Sequence, residues 1–170
     1  MEFQYSTIDF GLQIVMRNCT DSAGGKGMGF GIYFKGLWSR GKWPSLWREQ
    51  GLTRDITVLK LFPILVVIVG RGSQLINKRL LFHCDNLAVV HIINTMSSKS
   101  DRVMTLVRVL TLQCLQYNIA IKAVHVPGVK NLICDALSRF QQKRFRELAI
   151  EAALYPTPIS SQLWNVFSEP

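Results

Sequence analysis

A chain of 170 residues with 48% hydrophobic content fits one ordinary domain and is ample for a core. Its 20 Lys and Arg against 11 Asp and Glu give a net charge of +9, which favours a polyanionic partner such as nucleic acid or an anionic membrane surface. The most apolar run, from Val58 to Val69, is interrupted by Lys60 and Pro63 and reads as too short to cross a bilayer. The N-terminus lacks the basic start and apolar stretch of a secretory signal. The four cysteines, Cys19, Cys84, Cys114 and Cys134, stand singly. Reduced thiols in an intracellular setting, cytoplasmic or nuclear and without a membrane, are therefore expected.

In chain order, "LQIVMRNCTD" reads as a strand over 12–21, followed by the glycine-rich turn "SAGGKG" and a second strand, "MGFGIYFKG". "LWSRGKWP" continues as a third strand stopped by Pro44, so the first three strands form an antiparallel meander. The run from Thr57 to Val69 is assigned to a buried helix, with Pro63 tolerable only in or just after its first turn. "RLLFHCD" is a short buried strand ending in Asp85, and "NLAVVHIIN" a short helix. In "DRVMTLVRVLTLQCLQYN", Val103, Leu106, Val107, Leu110 and Cys114 recur at helical spacing. "IAIKAVHV" alternates as a strand, Pro127 and Gly128 turn the chain, and Asn131 is placed to cap a last helix, "LICDALSRF". These elements divide the chain into a lead-in over 1–11, an α/β domain over 12–140, and a basic, proline-containing tail or linker over 141–170.

Three acids stand in apolar surroundings: Asp21 at the end of the first strand, Asp85 at the end of "RLLFHCD", and Asp135 within "NLICDAL". Parallel neighbouring strands would bring Asp21 and Asp85 out at one sheet edge, where the helix of Asp135 could meet them. Converging carboxylates repel one another unless cations hold them, and oxygen-only ligands suit Mg²⁺ or Mn²⁺. The bland alternative is that each aspartate caps a turn or a helix.

"TDSAGGKGMGFGIYF", "FHCDNLAVVHIIN" and "HVPGVKNLICDALSRF" closely resemble the ribonuclease H domain of DIRS-type retrotransposons, elements that carry a tyrosine recombinase. The resemblance runs from about Leu12 to the end of the chain. It implies a ribonuclease H-like α/β fold, a mixed five-stranded sheet with its first three strands antiparallel and helices on its faces. It further implies metal-dependent hydrolysis of the RNA strand of an RNA–DNA hybrid, with polymerase and recombinase domains of a parent polyprotein as partners. In that family four acids bind two Mg²⁺ ions. Asp21 matches the first, Asp85 the third and Asp135 the fourth, but where the resemblance expects the catalytic glutamate this chain has Lys60, in "TVLKLFPI".

A lysine in that place changes the formal charge of the site by two units and repels the cations that would assemble there. The expected outcome is weak binding of Mg²⁺ or Mn²⁺ at Asp21, Asp85 and Asp135, a Lys60 paired with Asp21 or Asp85, and little or no hydrolysis. The alternative function is a catalytically inactive nucleic-acid-binding or protein-interaction module. Arg40, Lys42, Arg48, Arg139, Lys143, Arg144 and Arg146 are the candidate contacts to a nucleic-acid backbone. Trp38, Trp43 and Trp47, interleaved with the first three of these, are assigned to packing rather than stacking on bases. Adjacent His83 and Cys84 on a strand point to opposite faces, which argues against a zinc site with His91, His125 or Cys134.

Overall fold

The computed structural model describes residues 18–128 and 131–168, with backbone only for Asn18, Cys19 and Asp21. The lead-in and positions 12–17 of the expected first strand lie outside the described residues. Among the described residues five strands run in the spatial order β3-β2-β1-β4-β5: β1 Asn18–Ser22, β2 Gly29–Phe34, β3 Leu37–Lys42, β4 Arg79–Cys84 and β5 Ala120–His125. Among the described residues six α-helices accompany them: α1 Ser45–Glu49, α2 Ile56–Arg71, α3 Leu87–Thr95, α4 Asp101–Gln116, α5 Leu132–Ser138 and α6 Gln142–Leu148.

The expected fold class needs correction. In place of the mixed five-stranded sheet expected of a ribonuclease H-like fold, extended pairing is confined to two small two-stranded sheets, one antiparallel and one parallel. Antiparallel β2–β3 pairs from Gly29↔Lys42 to Phe34↔Leu37, and parallel β4–β5 pairs from Arg79↔Ala120 to Cys84↔His125. Short β1 lies between them, antiparallel to β2 over Cys19–Ser22 but beside β4 only at Asn18↔Phe82 and Cys19↔His83. Two further polar atoms of β1 bond outside the sheet. The carbonyl of Thr20 accepts from Asn131 Nδ2 at 2.9 Å, and Ser22 Oγ donates to the Leu59 carbonyl at 2.6 Å.

Local chemistry sets the element ends. Lys35 and Gly36 both have positive φ, which suits the tight turn joining β2 to β3. Asp55 caps α2 by accepting from the Thr57 and Val58 amides, Asn86 caps α3 through Val89, and Ser100 caps α4 through Val103. Asn131 departs from its expected role: its side chain makes no cap bond to α5 and reaches Thr20 instead. Pro63 also departs from expectation, as it sits in mid-helix. Proline offers no N–H to the carbonyl four residues back, which is that of Leu59, and the Ser22 hydroxyl occupies that carbonyl.

The expected helix over 57–69 is longer than read, and with the following 3-10 turn Gly72–Gln74 it is long and apolar enough to cross a membrane by length and composition. Burial explains its apolar character: Val58, Leu59, Leu61, Phe62 and Ile64 through Ile68 all lie in the main core. There α2 packs between β1–β2 and α4. A second, smaller core of Trp38, Ala136, Leu137, Phe145, Ala149 and Ala152 lies on the other side of β2–β3. Alternation along β2 serves both, with Phe30 and Ile32 in the first and Tyr33 against the second. All three tryptophans of the β3–α1 region are buried, at 3%, 3% and 1% exposure for Trp38, Trp43 and Trp47. The cysteine reading is corrected in part: Cys84 and Cys114 form no disulfide, but Cys134 is disulfide-bonded, so cysteine usage no longer supports a reducing compartment.

The segment after α6 returns across the molecule to β3. Its Ala153 and Thr157 amides donate to the Gly36 and Trp38 carbonyls, Trp38 Nε1 donates to the Ala153 carbonyl, and Ser39 Oγ to that of Thr157. Tyr33 Oη donates to Glu151, a bond that raises the tyrosine pKa, second to burial, and holds the carboxyl of Glu151 below its usual value. Trp164 then enters the main core beside Phe30, Trp47 and Phe62.

Candidate functional site

The ends of β1 and β4 position two of the acids. Because Cys19 is the register partner of His83, Asp21 and Asp85 stand at equal offsets along neighbouring parallel strands. The side chain of Asp21 lies outside the described residues. Its register partner on the other side is Gly31, where a Cβ would sit 2.4 Å from Leu137 Cβ and 2.8 Å from the Cys134 carbonyl. The absence of a side chain there lets α5 lie directly on the strand, so the helix of Asp135 is held at the level of Asp21. The Asn131 bond to Thr20, one turn before Asp135, fixes the same helix along its axis.

Lys60 comes from the opposite side, on α2, where the bond from Ser22 to Leu59 ties the helix to β1 one residue away. The ammonium of Lys60 donates to both oxygens of Asp85, at 2.7 and 2.9 Å. The two side chains are only 11% and 19% exposed. In such a partly desolvated place a bidentate charge-assisted contact is far stronger than a surface pair. The loop after β5 closes over it, since a Cβ at Gly128 would lie 3.4 Å from Asp85 Oδ2.

Asp135 is turned to a different set of cations. Arg139 Nε donates to Oδ1 at 2.6 Å, and Arg144 Nη1 to Oδ2 at 2.9 Å while also donating to Gln141 Oε1 at 2.8 Å. Both oxygens of Asp85 and both of Asp135 are thus occupied by the chain's own cations. That arrangement does not fit a divalent metal ion: a cation at Asp85 would meet an ammonium at hydrogen-bond distance, and one at Asp135 would meet two guanidinium groups. Among the described residues no three His, Cys, Asp or Glu side chains stand together as a metal-binding group.

The seven basic residues read as nucleic-acid contacts fall into three kinds. Arg139 and Arg144 pair with Asp135 and remain about two-fifths exposed. Arg146 is a structural clamp, donating to the carbonyls of Ala152, Ala153 and Leu154 at 3.0, 3.0 and 2.6 Å and so holding the chain's turn toward β3. Arg40, Lys42, Arg48 and Lys143 make no ion pair among the described residues. Arg139 stands one helical turn after Asp135, at i, i+4, whereas Arg144 reaches it through the turn between α5 and α6. Neither family models nor curated proteins give a match to this sequence.

Proposed function

We propose that this chain is a nucleic-acid-binding domain of retroelement descent in which a hydrolytic site of ribonuclease H type is closed by the chain's own cations. The observation that carries the reading is the Lys60 ammonium lying on both oxygens of Asp85. Hydrolysis of this class needs acids free to hold divalent ions at an activated water and a leaving oxygen. Here a cation fixed by protein geometry neutralises Asp85 permanently, and two arginines do the same for Asp135. What remains is a stable, positively charged surface, and the net charge of +9 supports a polyanionic ligand. The resembling motifs make an RNA–DNA hybrid the first ligand to test and polymerase and recombinase domains the natural neighbours in a parent polyprotein.

The test is a labelled RNA–DNA hybrid incubated with the chain in Mg²⁺ or Mn²⁺, with binding and cleavage measured on the same samples. Binding without cleavage is expected. Robust cleavage that Asp85→Asn abolishes would overturn the closed-site reading, and absence of binding at low salt would overturn the nucleic-acid reading.

A further inference from the structure

Along one face of β3, Trp38, Arg40 and Lys42 follow at every second residue and meet the turn between α5 and α6. Cations and aromatic rings alternate there. Lys42 Nζ lies 5.4 Å and Arg40 Cζ 5.0 Å from the ring centroid of Phe140, and Arg40 and Arg146 lie 5.6 and 5.4 Å from that of Trp38. The row has a satisfied end and an unsatisfied one. Arg146 spends its donors on three carbonyls, whereas the side chains of Arg40 and Lys42 have no oxygen partner among the described residues. Ring contacts fix where these two charges sit without neutralising them.

From this row we infer that Arg40 and Lys42, ordered by Phe140, form a binding site for two successive phosphates of a single nucleic-acid strand. The inference rests on the nucleic-acid reading above for the class of ligand and adds where on the molecule the ligand lies. Residues two apart on a strand are separated by about 7 Å, a spacing that neighbouring phosphates of a flexible single strand can match. Burial holds the Arg40 guanidinium below its usual pKa, so a bound anion would relieve a cost the free protein carries. Arg144 and Lys143, a few residues beyond Phe140 on α6, extend the same charge toward Asp135. A membrane surface suits the patch less well, because none of the exposed large apolar side chains among the described residues belongs to it.

The experiment is fluorescence anisotropy of a labelled 20-nucleotide oligo-dT or oligo-U with the full chain across a salt series. Vesicles of phosphatidylserine and phosphatidylcholine form a separate arm. Arg40→Gln with Lys42→Gln is compared with Lys78→Gln with Lys99→Gln, which removes the same charge from exposed positions elsewhere. All variants are checked for unchanged melting. The first pair should lose about tenfold in affinity or more, and its salt slope should fall by about 1.4, the value for two single-strand phosphates. The second pair should stay within about twofold of the unmodified chain. Phe140→Leu, which leaves both charges but removes the ring that orders them, should weaken binding severalfold with little change in slope. Equal losses in the two charge pairs, or vesicle binding that depends on Arg40 and Lys42 while the oligonucleotides do not bind them, would overturn the inference. No nucleic-acid binding by the unmodified chain would instead overturn the underlying reading.

Discussion

Replacing Lys60 by glutamate should make the stability of this protein depend on divalent cations. In the native chain the ammonium lies within 2.9 Å of both Asp85 oxygens, and the pair is four-fifths or more withdrawn from water. Two unit charges 4 Å apart interact by about 4 kcal/mol at an effective dielectric of 20, and exchanging ammonium for carboxylate turns that attraction into repulsion. Breaking a buried pair by loss of one partner costs about 3–5 kcal/mol, and the residual exposure places this case at about 3. For a chain of this length such a loss lowers the melting temperature by roughly 6–12 °C. Magnesium at a hundred times its dissociation constant would return about 2.7 kcal/mol, most of the deficit. The assay is thermal unfolding followed by circular dichroism, in chelator and in excess Mg²⁺. Lys60→Glu should melt low in chelator and recover in Mg²⁺, the unmodified chain should be indifferent, and Asp85→Asn should be destabilised without rescue. A native chain stabilised by Mg²⁺ as strongly as Lys60→Glu would show that Asp85 is available to metal and would refute the argument.

Three further outcomes follow from the packing. Ser22→Ala should cost about 1–3 kcal/mol in urea unfolding because it strands the Leu59 carbonyl, and most of that cost should vanish in a Pro63→Ala background, where a restored amide can take the same carbonyl. Gly31→Ala should destabilise by about 3 kcal/mol or more, since its Cβ would meet backbone and Cβ atoms of α5 that have no rotamer to yield. Burial raises the Cys114 thiol from 9.0 to about 11, so between those values the unfolded state releases a proton that the folded state keeps, and stability falls as pH rises through that window. Cys114→Ala should flatten the decline when the two proteins are unfolded in parallel from pH 9 to 11.

Periodicity made the helices legible where one face is apolar. The five residues picked out of α4 by spacing, from Val103 to Cys114, are its buried ones. It failed at α6, whose Lys143, Arg144 and Arg146 read as a charged tail while Phe145 alone carries the helix into the second core. Pro63 was misjudged because its tolerance depends on a hydroxyl 41 residues away in the chain, a compensation no local rule can see. The mixed five-stranded sheet was overdrawn for a similar reason. Strand character in β1 is real, but the strand is short and meets β4 at two residue pairs only, and Asn131 takes the carbonyl of Thr20. At the site, the oddity of a lysine in an apolar helix was plain from its residues alone. That Arg139 and Arg144 serve Asp135 was not, because a basic residue near a carboxylate looks the same in sequence whether it binds a partner or its own chain.

The return of residues 149–168 to β3 also fixes the order in which the protein can be completed. The bonds that cover Gly36, Trp38 and Ser39 join positions more than 110 residues apart, and Trp164 fills a place among aromatic rings that are synthesised far earlier. Contacts of such separation close late, because the loop entropy is lost before they return anything. During synthesis the β2–β3 hairpin must therefore wait on the ribosome with one edge open and an aromatic hollow unfilled, until residues 149–168 have emerged. A nascent chain with residue 150 just outside the exit tunnel should accordingly be captured by chaperones and nicked near Trp38, and one with residue 168 outside it should not.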